Sequence, residues 1–227
     1  MSKVLNLTTS ILGESSVSKS LAQTLLQRLQ AEGEVFELTN RDFSQTAIPH
    51  VDGQWLQALM TPETDRDDEQ QAKVDFSNTL IAELKQADVI VITLPMYNFS
   101  VPSMLKAWND HVARAGETFK YTESGSVGLL GDKKVYLVTA MGGKHEPGKS
   151  DFLRPYMEHF LGFLGLEDIE FITADGLSMG DAVRAEGLAR AEKDIVRAVS
   201  RFNARAQQSE SVEASGNNVR ENKEVAA

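Results

Sequence analysis

The run Asp88–Leu94 (DVIVITL) is the feature that most narrows what this chain can become. A continuous β-branched stretch of this kind suits a strand buried on both faces, which belongs inside a parallel sheet. Pro95 ends it at once. On either side, strand and helix signals alternate. Lys3–Thr8 (KVLNLT), Glu34–Thr39 (EVFELT), Lys134–Thr139 (KVYLVT) and Ile169–Thr173 supply four more strand patterns. Leu21, Leu25 and Leu29 recur at helical spacing between the first two. Further helices are expected over Val74–Lys85, along Met104, Leu105, Trp108 and Val112, over Asp151–Leu164, and along Leu188, Ile195, Val199 and Phe202. Asn40–Asp68 is a long connection within which Trp55–Met60 form a short helix.

Five strands alternating with helices imply an α/β fold, a parallel sheet with helices on both faces. For this size the expected form is a flavodoxin-like, doubly wound, five-stranded sheet of order 2-1-3-4-5. One domain covers residues 1–206; residues 207–227 are rich in Ser, Glu and Asn, have little apolar surface to bury, and are expected to form a disordered tail. The 227 residues, 41% apolar, suffice for a large core without cross-links. With no cysteine in the chain, disulfides, cysteine-held zinc, iron–sulfur clusters and thiol nucleophiles are all excluded. A net charge of −10 opposes nucleic-acid binding, which needs a basic footprint. No apolar run approaches the roughly 20 residues of a membrane span, and Met1–Leu7 does not resemble a signal peptide. The expected location is the cytoplasm, with no membrane partner.

In a sheet of this order, ligands bind beyond the carboxyl ends of the strands where the order reverses, here between the first and third strands. Three loops should therefore meet. The first, Thr8–Ser18, carries six hydroxyl side chains and ends where a helix begins, a setting for a terminal phosphate. Ser16 or Ser18 serving only as a helix cap is the plainer alternative. The second, Pro95–Pro102, sets Met96, Tyr97, Asn98 and Phe99 between two prolines. Aromatic side chains in a loop suit a planar ligand, although they could equally fold back on the domain. Asn98 tolerates unusual backbone angles. The third, Ala140–His145, has the pair Gly142–Gly143, which permits close backbone approach but is as common in a simple turn. Together the three outline a flat ring with a phosphorylated tail.

The segment Leu94–Phe99 (LPMYNF), with Lys106, Asp110, Ala113–Gly116 (ARAG) and Phe119–Glu123 (FKYTE), resembles the FMN-dependent NADH-azoreductases, also described as NADH:quinone oxidoreductases. Leu161–Gly165 (LGFLG) follows the same pattern, and the resemblance spans about residues 1–203. It implies FMN as cofactor. Ser10, Ser16, Val17 and Ser18 would hold its phosphate and ribityl tail. Met96, Tyr97, Asn98 and Phe99 would line its ring, and Ala140, Met141, Gly142 and Gly143 its pyrimidine end. It also implies a homodimer with flavins at the interface, where Tyr121 and Phe163 wall the substrate pocket, one of them from the partner chain. Met141 departs from members that carry arginine there.

The flavin carries the chemistry in such an enzyme. NADH or NADPH would deliver hydride to N5, then leave so that a quinone or azo compound takes its place, a ping-pong scheme. His145 or Tyr121 would donate a proton or hydrogen bond to the acceptor. Two rivals share the fold. A flavodoxin-type electron carrier would lack a walled pocket. A response-regulator-like domain needs acidic residues after the first strand, where Asn6–Thr9 has none.

Overall fold

The computed structural model describes residues 1–31, 35–131 and 133–224, with side chains through residue 204. Its central sheet has five parallel strands: β1 (Ser2–Thr8), β2 (Phe36–Asp42), β3 (Val89–Pro95), β6 (Lys134–Ala140) and β7 (Asp168–Ala174), in the order β2-β1-β3-β6-β7. That is the expected order 2-1-3-4-5. All seven residues of β3 are buried, as its composition requires of a central strand. Two further strands, β4 (Phe119–Thr122) and β5 (Gly125–Gly128), form a separate antiparallel hairpin that the periodicity did not reveal.

Alternation along the strands divides the core. Leu5, Leu7, Ile90, Ile92 and Leu94 face one layer, built from α3 (Asp68–Gln86), α4 (Ser103–Val112) and α5 (Leu153–Phe163). Val4, Val89, Val91, Tyr136 and Val138 face the other, built from α1 (Val17–Ala31) and α6 (Asp181–Glu224). Each element has a local cause. In α3, Asp67 accepts from the Gln70 amide while the Gln70 side chain accepts from the Asp67 amide, a reciprocal cap that starts the helix six residues before its first buried apolar position, Val74. The connection after β2 holds α2 (Gly53–Met60), capped by Asp52 and closed at its other end by Arg66, whose Nε donates to the Ala58 and Thr61 carbonyls.

One expected boundary moves. The second strand runs on through Asp42, because β1 pairs with it in register to Thr8–Asp42 and the Phe43 amide then bonds to the Thr8 carbonyl. Glu34, where that strand was expected to begin, lies outside the described residues. The backbone of α6 is helical to Glu224, and the side chains of the expected tail, residues 207–227, lie outside those described. Among the described residues no helix is long and apolar enough to cross a membrane.

Candidate functional site

The loops after β1, β3 and β6 meet at the carboxyl edge of the sheet, and hydrogen bonds join them. Thr9, fully buried, donates its amide to Thr93 Oγ1 at 2.8 Å and its hydroxyl to the Thr93 carbonyl. The Met96 amide donates to the Ala140 carbonyl at 2.9 Å, tying the second loop to the third. At the outer end the Phe99 ring stands edge-on to His145, centroids 5.8 Å apart. Thr93 took no part in the sequence reading, since a threonine inside a strand carries no distinguishing pattern.

In the first loop, Ser10, Ser16 and Ser18 are all buried around the N-terminus of α1. Ser16 accepts the Lys19 amide at 3.2 Å, so the capping alternative is realised. Capping at the third helical amide leaves those of Val17 and Ser18 without an intrahelical acceptor, and the dipole favours an anion there. Capping and anion binding are thus compatible. Lys19 points to Glu14 at 2.6 Å and to Asp42 at 3.4 Å. The bond to Glu14 raises its pKa above the ordinary 10.5, against the cost of burial, with Asp42 adding to the rise. Burial works to raise the Asp42 carboxyl, but Ser44 and Lys19 together hold it below its ordinary value.

The second loop is a two-residue hairpin. Tyr97 and Ser100 exchange both backbone hydrogen bonds at 3.1 Å, and the intervening Asn98 and Phe99 have φ of +50° and +70°. Paired left-handed residues define this tight turn, which ordinarily calls for Asn-Gly. Asn98 supplies the first position cheaply; Phe99, bulky and without glycine's freedom, costs about 1–2 kcal/mol there. Strain of this kind persists where surrounding structure enforces it, and it collects at ligand sites. The result is a half-exposed aromatic ring held at the rim.

In the third loop the Met141 side chain is buried, its amide bonds to the Ala174 carbonyl and its carbonyl accepts from Leu177. Ser178 and Gly176 bond to the carbonyls of Gly142 and Gly143. The segment after β7 thereby anchors this loop through its acceptors. Among the described residues, the amides of Gly142 and Gly143 have no acceptor and form the open edge. A Cβ on Gly143 would stand 3.0 Å from His145 Nε2, so the glycine lets the imidazole lie over the loop, where Ser150 holds its Nδ1 at 3.2 Å.

Beside the turn opens a cleft of about 920 Å³, within the range of small-molecule sites. Ile11 of the first loop and Met96, Tyr97 and Asn98 of the second line one side. His50 and Tyr156, which sequence reasoning missed, line the other together with Lys106. His50 arrives from the long connection, which His111 fixes to α4 through its Nε2 bond to the Pro49 carbonyl at 2.9 Å. Asn109, fully buried, donates to the Tyr156 hydroxyl at 3.0 Å and so orients it toward the cleft. Tyr121 and Phe163 are brought together elsewhere. Both rings pack on Phe119, at 5.4 and 4.4 Å, and Tyr121 remains 75% exposed.

Comparison with known proteins accords with this geometry. Residues 2–199 match a family model described as flavodoxin-like fold. The chain is 45% identical over 192 residues to an FMN-dependent NADH:quinone oxidoreductase of Cellvibrio japonicus, covering 85% of this chain and 96% of the relative. It is 44% identical over 195 residues to FMN-dependent NADH:quinone oxidoreductase 2 of Pseudomonas fluorescens strain Pf0-1, covering 86% and 98%. Among solved structures it is similar to an FMN-dependent NADH-azoreductase from Bacillus anthracis in complex with FMN, with a TM-score of 0.80, 28% identity, and coverage of 89% and 99%.

Proposed function

This chain belongs to the FMN-dependent NADH:quinone oxidoreductases, the azoreductase family of flavodoxin-like fold, and we propose that its three joined loops are the FMN site. Its function is the FMN-dependent reduction of quinones and azo compounds with NADH. The observation that carries the site assignment is the left-handed turn at Asn98–Phe99, held between a hydroxyl-lined helix N-terminus and an open glycine edge.

The residues present fit the cofactor. Ser10, Ser16 and Ser18 with the amides of Val17 and Ser18 would take the phosphate, which needs donors and a favourable dipole more than a cation. Met96, Tyr97, Asn98 and Phe99 would line the ring. The Gly142 and Gly143 amides would donate to the carbonyls of its pyrimidine edge, with Ala140 and the buried Met141 setting their position. Because Met141 contributes no charge there, stabilisation at that edge falls to backbone dipoles. When bound, FMN supplies two-electron redox chemistry. The chain's part is to bind, orient and exclude water. His145, steadied by Ser150, would donate an imidazole N–H to an acceptor's oxygen or nitrogen.

A homodimer completes the pocket in this reading. Tyr121 and Val127 on the β4–β5 hairpin and Leu129 just after it are exposed apolar residues, and Phe163 packs on Phe119 of the same hairpin. Such a patch suits an interface better than water. Tyr121 and Phe163 of one protomer would then wall the cleft of the other. NADH and acceptor would occupy that cleft in turn.

The test is the visible spectrum of the purified protein, followed by anaerobic NADH. Flavin absorption that bleaches on NADH and returns on quinone addition is expected, with parallel double-reciprocal lines when both substrates are varied. A protein that stays colourless after FMN is added would overturn the site; intersecting lines would overturn the shared cleft.

A further inference from the structure

Tyr97 belongs to the ring-side turn, yet its phenol leaves that turn and reaches the first loop. The Ile11 amide donates to the phenolic oxygen at 3.2 Å, and that oxygen lies 3.4 Å from Ser10 Oγ. Ser10 Oγ in turn accepts the Leu12 amide at 3.3 Å. Ser10 is buried, and the Leu12 carbonyl accepts the Ser15 amide at 3.1 Å, a bond that stays within the loop. The Ile11 and Leu12 side chains are 64% and 58% exposed, and Gly13 follows in a left-handed conformation with open space where a Cβ would stand. One residue earlier, Thr9 is fixed to β3 by two bonds. The phenol is therefore the tie between the tip of the first loop and the rest of the site.

We infer that the Tyr97 hydroxyl is a positioning group that couples the phosphate-cradling loop to the ring-side turn, so that FMN is preferred over dephosphorylated flavin partly through a residue of the ring-side turn. This rests on the FMN site assigned above. A loop ordered before its ligand arrives loses less conformational freedom on binding, and the saving appears as affinity. The phosphate gains from an ordered first loop, whereas a flavin without phosphate gains little. Tyr97→Phe removes the tie alone: the ring, its packing and the 98–99 turn remain.

The test uses the holoenzyme, wild type and Y97F, equilibrated with increasing riboflavin. Retained FMN and riboflavin are then separated and quantified by fluorescence. The loss of one hydrogen bond of ordinary net strength predicts a three- to tenfold fall, about, in the retained FMN:riboflavin ratio. The visible spectrum of the retained flavin should not change. Combining Y97F with Ser10→Ala should lower the ratio by less than the product of the single effects, since both cut the same tie. Equal weakening of both flavins would make Tyr97 a ring contact only and overturn the inference, as would an unchanged ratio or fully multiplicative effects. Failure of the wild type to retain either flavin would instead overturn the FMN site.

Discussion

His111 shows how one residue links the connection, the helices and pH. Its Nε2 faces the Pro49 carbonyl, an acceptor only, so that nitrogen carries the proton. Its Nδ1 is buried with no hydrogen-bond partner among the described residues, and the rings of Trp55 and Phe76 stand edge-on at 5.5 and 5.2 Å. Burial pushes its pKa below the ordinary 6.5; the Pro49 bond and Asp110 oppose that, and Arg114 reinforces it. The unfolded chain therefore takes up a proton that the native site resists. The stability this neutral imidazole provides is complete above pH 6.5 and is lost as pH falls through 6.5 toward the depressed native value. The expected result is a lower urea midpoint at pH 5.5 than at pH 7.5. His111→Gln, which keeps a donor for Pro49 and does not titrate, should show a flatter profile. The Asp42 and Glu117 carboxyls, held below their ordinary values, add their own loss only at more acidic pH. Equal slopes in the two proteins would assign the effect to other groups.

Among the elements, the β4–β5 hairpin depends on an unusually close backbone approach. A Cβ on Gly128 would stand 2.0 Å from the Gly165 amide nitrogen and 2.2 Å from the Leu164 carbonyl carbon. Gly165 has φ of +90°, and the Leu130 amide bonds to the Leu164 carbonyl at 3.0 Å. The end of α5 and the hairpin are thus seated backbone to backbone, which places Tyr121 and Phe163 around Phe119. Gly128→Ala must displace one of them, an overpacking cost of about 1–3 kcal/mol. In a chain of this size that is a fall in Tm of roughly 2–4 °C per kcal/mol, and the moved Tyr121 should raise the KM for quinone. An unchanged Tm and KM would show that the hairpin is not seated this way. This element also marks the limit of what the sequence discloses. The strands β1, β3 and β6 were legible because burial imposes apolar runs, the mostly exposed β2 from its alternation, and the three loops because their hydroxyl, aromatic and glycine content is local. The hairpin strands FKYT and GSVG are mostly exposed and too short for a period. His50 and Tyr156 enter the cleft through packing between distant elements, His111 on Pro49 and Asn109 on Tyr156, and no neighbouring pattern announces either.

At the scale of the whole molecule, α6 raises the question of where the working body ends. Its buried contacts with the sheet come from Ala191, Ile195, Ala198 and Val199, and Phe202 is the last apolar residue packed against that core. The family model matches to residue 199, and the relatives are covered over 96–98% of their length by about 85% of this chain. The sequence from 207 onward, QQSESVEASGNNVRENKEVAA, offers three valines and three alanines near its end and middle among polar residues, with no stripe at helical spacing. A helical backbone without an apolar face gains little from tertiary packing and is marginal by itself in water. The three loops lie at the carboxyl edge of the strands, where the start of α6 approaches them: the Arg184 guanidinium donates to the Leu177 carbonyl behind the glycine loop. A chain ending at residue 206 is therefore expected to retain FMN, to turn over quinone at the rate of the full chain, and to melt within about 0.5 kcal/mol of it, the range of surface changes that touch no core. Flavin content, initial rates and Tm measured side by side check this. Lost flavin or a markedly lower Tm would show that residues 207–227 pack on the body; a changed elution volume on size exclusion beyond that of the missing mass would show that they serve the assembly of protomers instead.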